Sequence, residues 1–202
     1  RSIAAERGKA EGRVMQPIYL TFDDGPDPSF TPRVLDVLAE VGMHATFFVI
    51  GKQAQRYPEL IRRAVAEGHE IGNHSYSHRH PWLVSERTAR AEVRHGAQVL
   101  SDLLGRQPRF FRPPHGRMRP CMTDEAQRWG ARTVLWDVSA IDWGPLGRAE
   151  RIEKRLGAIR PQDIVLMHDG KNKHNRPEEL LRVLPRLLQH LQQRAMRSQA
   201  LA

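Results

Sequence analysis

The stretch Tyr19-Leu20-Thr21-Phe22-Asp23-Asp24-Gly25-Pro26 limits most sharply what this chain can become. Pro17 to Phe22 has the β-branched and aromatic content of a short buried strand, and it stops at two adjacent carboxylates and a Gly-Pro turn. Successive strand residues point to opposite faces, but where the backbone bends at a strand end both acids can reach one site from different angles. Two neighbouring anions are costly to hold without a positive partner, and a metal cation fills that role best. The plainer alternative is a solvated turn that carries two aspartates.

Downstream, helical and strand patterns alternate. Thr31-Pro32 opens a helix whose inward stripe is Val34, Leu35, Val37, Leu38 and Val41, ended by Gly42. His44 to Ile50 reads as a second strand closed by Gly51. A helix from Pro58 to Glu67 turns Leu60, Ile61, Ala64 and Val65 inward, and His69 to Gly72 is a third strand. Ser85 caps a long helix to Leu104, stopped by Gly105. Then follow strand Arg109 to Phe111, a helix near Thr123 to Trp129, strand Thr133 to Asp137, helix Ala149 to Ile159, strand Ile164 to His168 and helix Pro177 to Gln193. Such alternation predicts an α/β fold with a parallel sheet covered by helices, and spacing leaves a closed barrel and an open sheet equally open. Each candidate site residue falls just past a strand's carboxyl end, where both architectures keep their chemistry.

The 202 residues suit one domain at 17–202 after a polar arm at residues 1–16. No apolar run approaches the roughly 18 residues of a membrane span. The arm has no apolar signal core, and a chain that begins at Arg1 leaves the compartment open. One cysteine, Cys121, excludes an internal disulfide and a multi-cysteine zinc site, so any zinc must use histidine and carboxylate. The net charge of +9 comes from arginines scattered along the chain. It suits an anionic envelope polymer or an undedicated basic surface; no recognised nucleic-acid motif accompanies it, and no nucleic-acid partner is expected.

The loop Asn73 to His78 sets His74 and His78 four apart, so that in a helical turn both imidazoles would face one point. Two histidines and a carboxylate, such as Asp24, form a catalytic zinc set with an open position; an exposed histidine-rich loop including His80 is the alternative. His69-Glu70-Ile71-Gly72-Asn73-His74 only mimics a metalloprotease helix, having one residue too many between its histidines and a glycine against the helix. Arg112, before Pro113-Pro114, is a cation held where it could pair with a carboxylate. His168, paired with a carboxylate such as Asp142, would keep its proton near neutral pH and act as a general acid.

In order along the chain, five motifs resemble those of the polysaccharide deacetylases, the family-four carbohydrate esterases built on the NodB-homology domain. They are Thr21 to Pro26, His74-Ser75-Tyr76-Ser77-His78, Arg112-Pro113-Pro114-His115-Gly116, Asp142-Trp143, and Ile164 to Asp169, with Ala45 to Gly51 matching the family's second strand. The resemblance implies a distorted (β/α) barrel holding one divalent metal ion, commonly zinc with cobalt or nickel as alternatives, in a groove open to a sugar chain. By that likeness Asp24, His74 and His78 hold the metal, Asp23 is the general base oriented by Arg112, and His168, kept cationic by Asp142, protonates the departing amine. A backbone N–H near Pro114 and His115 would face the oxyanion, while Trp143 and Leu166 would wall the acetyl methyl pocket. The implied activity is de-N-acetylation of N-acetylglucosamine units in peptidoglycan, chitin or a related glycan, neutral or anionic. O-acetyl ester hydrolysis, for example on xylan, and a silent glycan-binding protein are the alternatives. A monomer is expected; family members are often exported or envelope-associated, with cytoplasmic ones known.

Three departures bear on substrate and closure. His115 stands where the family usually has Tyr, Ser139 where many members have an Asp, and Arg194 to Leu201 has little β character for a closing strand. The loop Lys171-Asn172-Lys173-His174 is either a contact for an anionic glycan or a solvated basic turn.

Overall fold

A computed structural model describes residues 14–202. The predicted arm lies mostly outside the described residues, and its last member, Gln16, instead opens the first strand.

Among the described residues eight strands form the sheet: β1 (Gln16–Asp23), β2 (Thr46–Val49), β3 (Glu70–Asn73), β4 (Phe110–Phe111), β5 (Arg132–Thr133), β6 (Val138–Ser139), β7 (Ile164–His168) and β8 (Met196–Ser198). Their order is β5-β4-β3-β2-β1-β7-β6, with β8 beside the start of β1, and the ladders are parallel. The edge strands β5 and β6 are joined by residues 134–137 alone, so the sheet curls until its two edges are one short segment apart. This is the distorted barrel, with a seam where a closed barrel would have its last ladder.

Alternation along β1 separates two environments. Ile18, Leu20 and Phe22 face the main apolar core, together with Leu180, Leu184 and Leu188 of the last helix. Thr21 and Asp23 are buried on the opposite, interior face, where Thr21 Oγ1 donates to the Val165 carbonyl. Parallel strands put all their carboxyl ends at one rim, and the acids at the end of β1 therefore meet the groups that follow β3, β4 and β7.

Among the described residues seven α-helices cover the sheet: α1 (Thr31–Glu40), α2 (Gly51–Arg56), α3 (Pro58–Ala66), α4 (Glu86–Leu104), α5 (Pro120–Arg128), α6 (Ala149–Leu156) and α7 (Pro177–Gln193). Ser85 caps α4 by accepting from Thr88 N at 3.1 Å, and Gly105 ends it in the left-handed region. No described helix is long and apolar enough to cross a membrane.

Several expectations are corrected. Gly51 begins α2 rather than merely closing a strand, because its N–H reaches the Ser75 carbonyl and leaves the chain free to coil. Val65 is 42% exposed, since it sits about 100° around α3 from its neighbour Ala64 and off the Leu60, Ile61, Ala64 stripe. Of the predicted strand Thr133 to Asp137 only Thr133 belongs to a strand, as the end of β5, and β6 begins one residue past Asp137; at the seam between them the carbonyls of Val134 and Leu135 accept from Arg112 instead of from a neighbouring strand. The segment of weak β character does form β8, because ladder bonds use the backbone; Ser198 adds to them by accepting from Leu20 N and donating to the His44 carbonyl.

Candidate metal and acid–base site

Asp23 ends β1 and Asp24 follows it with φ 72°, in the left-handed region that Asp tolerates better than most residues. That reversal sends the two carboxylates to different partners. Asp23 Oδ1 accepts from Arg112 Nη1 at 2.7 Å, while Asp24 Oδ1 lies 3.1 Å from His78 Nε2 and 3.4 Å from His74 Nε2. The histidines do not sit on a helical turn, the condition under which their spacing alone would face both rings to one point. They follow β3 on an irregular loop, and positive φ at Ser75 and His78 brings their rings to 5.0 Å.

The donor set fits a divalent cation. Asp24 Oδ1 is buried without a hydrogen-bond partner, and two imidazole nitrogens face it, all three ligand atoms within 4.8 Å of one another. His74 Nδ1 is 2.8 Å from the Arg112 carbonyl; as a donor there it leaves the Nε2 lone pair aimed at the cluster. Asp24 Oδ2 accepts from Asn175 Nδ2 at 2.7 Å and Asn172 Nδ2 at 3.1 Å. Burial opposes charge on Asp24, yet the imidazoles of His74, His78 and His168 hold it well below the usual carboxylate range. Burial and the charge of His74 push His78 down to about 4. Nitrogen and oxygen donors without thiolate suit zinc and its neighbours.

Arg112 follows β4 and is fully buried, 0% exposed. Besides Asp23 it binds Thr21 Oγ1 at 2.7 Å and the Val134 and Leu135 carbonyls, and its guanidinium lies over the Phe48 ring at 4.0 Å. Every donor it offers to these partners is spent on holding its own position and that of Asp23.

His168 ends β7 opposite Asp23 in the ladder. Its Nδ1 is 2.8 Å from Asp142 Oδ1, and its backbone N–H donates to Asp142 Oδ2 at 2.8 Å. Burial disfavours its charge, but Asp142 overrides that and raises it to about 9, with Asp24 and Asp23 adding to the effect. Trp143 stands edge-on to it at 5.3 Å.

Asp23, Asp24, His74, His78 and His168 line one cavity of about 280 Å³, walled by Trp136, Trp143 and Leu166, with His115 also in its lining. A larger hollow of about 530 Å³, bordered by Arg148, Arg176 and Arg182, gathers none of them. Pro114 is buried in a tight turn and does not line the cavity; lacking an N–H, it leaves the His115 amide as the candidate donor of that pair. Lys171 is paired with Glu178 at 2.7 Å, both side chains part exposed. His174, from the same loop, does reach the cavity. Glu70 of the protease-like decoy is spent on Arg106 and Arg109, and His69 accepts from Ala45 N. Ser139 Oγ accepts from Ile141 N. Asn175 and Trp136 were not singled out by sequence, while Thr21 and Asn172 were named only as members of a motif and a loop, without these roles; the asparagines in the loop after β7 were the available signal.

The polysaccharide deacetylase family profile matches residues 12–134. A peptidoglycan-N-acetylglucosamine deacetylase of Bacillus cereus is 34% identical over 172 residues, 84% of this chain and 62% of the relative, so the chain spans less than two thirds of that protein's length. A chitooligosaccharide deacetylase of Sinorhizobium fredii is 40% identical over 154 residues, covering 76% of this chain and 72% of the relative. Among solved structures, a family 4 carbohydrate esterase from Streptomyces lividans in complex with acetate superposes with a TM-score of 0.82 at 30% identity, covering 92% of this chain and 93% of that one.

Proposed function

The chain belongs to the polysaccharide deacetylase family, and from that premise we propose that it hydrolyses the N-acetyl group of N-acetylglucosamine units in a peptidoglycan or chitin-type glycan, releasing acetate. The observation that carries this reading is the division of labour in one cavity. Asp24 faces two imidazoles, Asp23 faces a buried arginine, and His168 faces a buried carboxylate.

Asp24, His74 and His78 would hold a divalent ion, zinc by preference with cobalt or nickel as alternatives, which when bound supplies a Lewis acid for the acetyl carbonyl. The remaining work belongs to the chain's own groups. Asp23, its Oδ1 held by Arg112, presents Oδ2 to accept a proton from the attacking water. As the water oxygen bonds to the acetyl carbon and the carbon–nitrogen bond breaks, cationic His168 gives its proton to the departing amine. Asp142 keeps that imidazole charged and fixes its tautomer. Trp143 and Leu166 exclude bulk water around the methyl group, and the His115 amide is the chain's own oxyanion donor. A peptidoglycan substrate would place the protein at the cell envelope.

The test is acetate release from chitooligosaccharides, peptidoglycan and acetylated xylan by metal-stripped protein, zinc-restored protein and Asp23→Asn. Zinc-dependent release from an N-acetylated glycan, lost in Asp23→Asn, is expected. Release from xylan alone would make it an O-acetyl esterase, and glycan binding without release a silent binding protein.

A further inference from the structure

Trp82 is 58% exposed and Leu83 beside it 81%. This indole does not hang on a loose tip. Arg119 Nη1 donates to the Pro81 carbonyl at 2.7 Å and the Val84 carbonyl at 2.8 Å, Pro81 is itself buried, and Trp82 N donates to His80 Nδ1 at 3.3 Å. The Arg119 guanidinium lies 5.6 Å from the indole centroid. Trp82 and Leu83 are adjacent, apolar and left in water on a pinned turn, and contiguous exposed apolar surface, unlike a lone apolar residue, marks interaction or ligand-binding sites.

The turn that carries Trp82 is continuous with the candidate site. The His80 ring is 5.1 Å from His115, and His115 is 4.6 Å from His78. The rings of His78, His115 and His80 thus follow one another outward from the Asp24 cluster, the first two lining the cavity, and the His80 ring accepts from the backbone N–H of Trp82.

We propose that Trp82 is a distal stacking platform for the glycan chain, engaging a sugar unit beyond the one whose acetyl group enters the cavity. This rests on the deacetylase reading above. A pyranose ring presents a face of C–H groups whose partial positive charge complements the electron-rich face of an indole, and a rigid indole loses little freedom on contact. Because the platform lies outside the cavity, it contributes only to chains long enough to span both. Continuity with the cavity favours a sugar over a protein partner, and chain-length dependence is the signature that separates them.

The experiment compares kcat/KM for acetate release from chitobiose and chitohexaose in zinc-loaded wild type, Trp82→Ala, Trp82→Phe and the control Val65→Ser, whose residue is exposed on α3 outside the cavity. Trp82→Ala is expected to lower the preference for the longer chain about tenfold, Trp82→Phe to retain most of it and Val65→Ser all of it. An unchanged preference in Trp82→Ala overturns the platform while leaving the deacetylase reading intact. Calorimetric titration of chitohexaose into Asp23→Asn, with and without Trp82→Ala, asks the same question without turnover. Weaker binding in the double variant supports the platform even if wild type releases no acetate, which would sink only the deacetylase reading. Equal binding, or none in either protein, overturns the platform.

Discussion

Arg112 and Asp23 are joined at 2.7 Å between Nη1 and Oδ1, both buried, although 89 positions separate them in the chain. The arginine anchors the acid through the Val134 and Leu135 carbonyls at the barrel seam, and so ties the chemistry to the point where the sheet fails to close.

Removing that cation leaves a buried carboxylate uncompensated. Arg112→Ala should lose about 3–5 kcal/mol of stability by urea denaturation, with Arg112→Lys losing less because it keeps the charge but not the fork. A loss under about 1 kcal/mol would mean that the pair behaves as a solvated one.

His168 sets a pH window. Its folded value is raised to about 9 from 6.5, so the charged imidazole stabilises the fold fully below pH 6.5, and this contribution is lost as pH rises through about 9. The stability advantage of wild type over His168→Gln should shrink across that interval. Acetate release should decline on the same alkaline side as the proton donor is lost. An advantage independent of pH would dissociate His168 from Asp142.

Zinc added to metal-stripped protein should raise the melting temperature, with about 2.7 kcal/mol of stabilisation at a hundredfold excess over Kd. His78→Ala should bind less zinc by elemental analysis and lose most of this gain. A full gain in His78→Ala would remove that residue from the ligand set.

Asn175 donates to Asp24 Oδ2 at 2.7 Å and to the Gly170 carbonyl at 3.0 Å, and so orients the carboxylate from behind. Asn175→Ala should weaken zinc affinity about tenfold in chelator competition. Unchanged affinity would show that Asn172 alone suffices.

Gly96 lies where α4 meets the histidine loop. An added Cβ there would collide with Asn73 Oδ1 and come within 2.9 Å of the Ser75 backbone. Gly96→Ala should therefore lower stability and zinc affinity, against the roughly 1 kcal/mol that alanine gains over glycine within a helix. A more stable variant with intact zinc binding would show that the loop yields.

Much of the fold was legible because its signals are local. Ser85 and Gly105 bound α4, and α7 spans the predicted Pro177 to Gln193, because caps and helical periodicity depend only on near neighbours. The seam and β8 were not legible. Whether a strand finds a partner depends on which backbone edge another part of the chain leaves open, and Met196–Ser198 pairs despite poor β propensity because the start of β1 is available.

The site divides along the same line. The residue types and order of Asp23, Asp24, His74, His78, Arg112, Asp142 and His168 are set in the sequence, and their motifs alone announce the family. The resemblance assigns each carboxylate its partner; how two adjacent acids reach different partners was decided only by tertiary structure. A single left-handed residue at Asp24 turns one acid toward two imidazoles and leaves its neighbour to Arg112. Asn172 and Asn175 joined Asp24 only when β7 and β1 paired in register, since hydrogen bonds across roughly 150 residues depend on through-space geometry that no local pattern encodes.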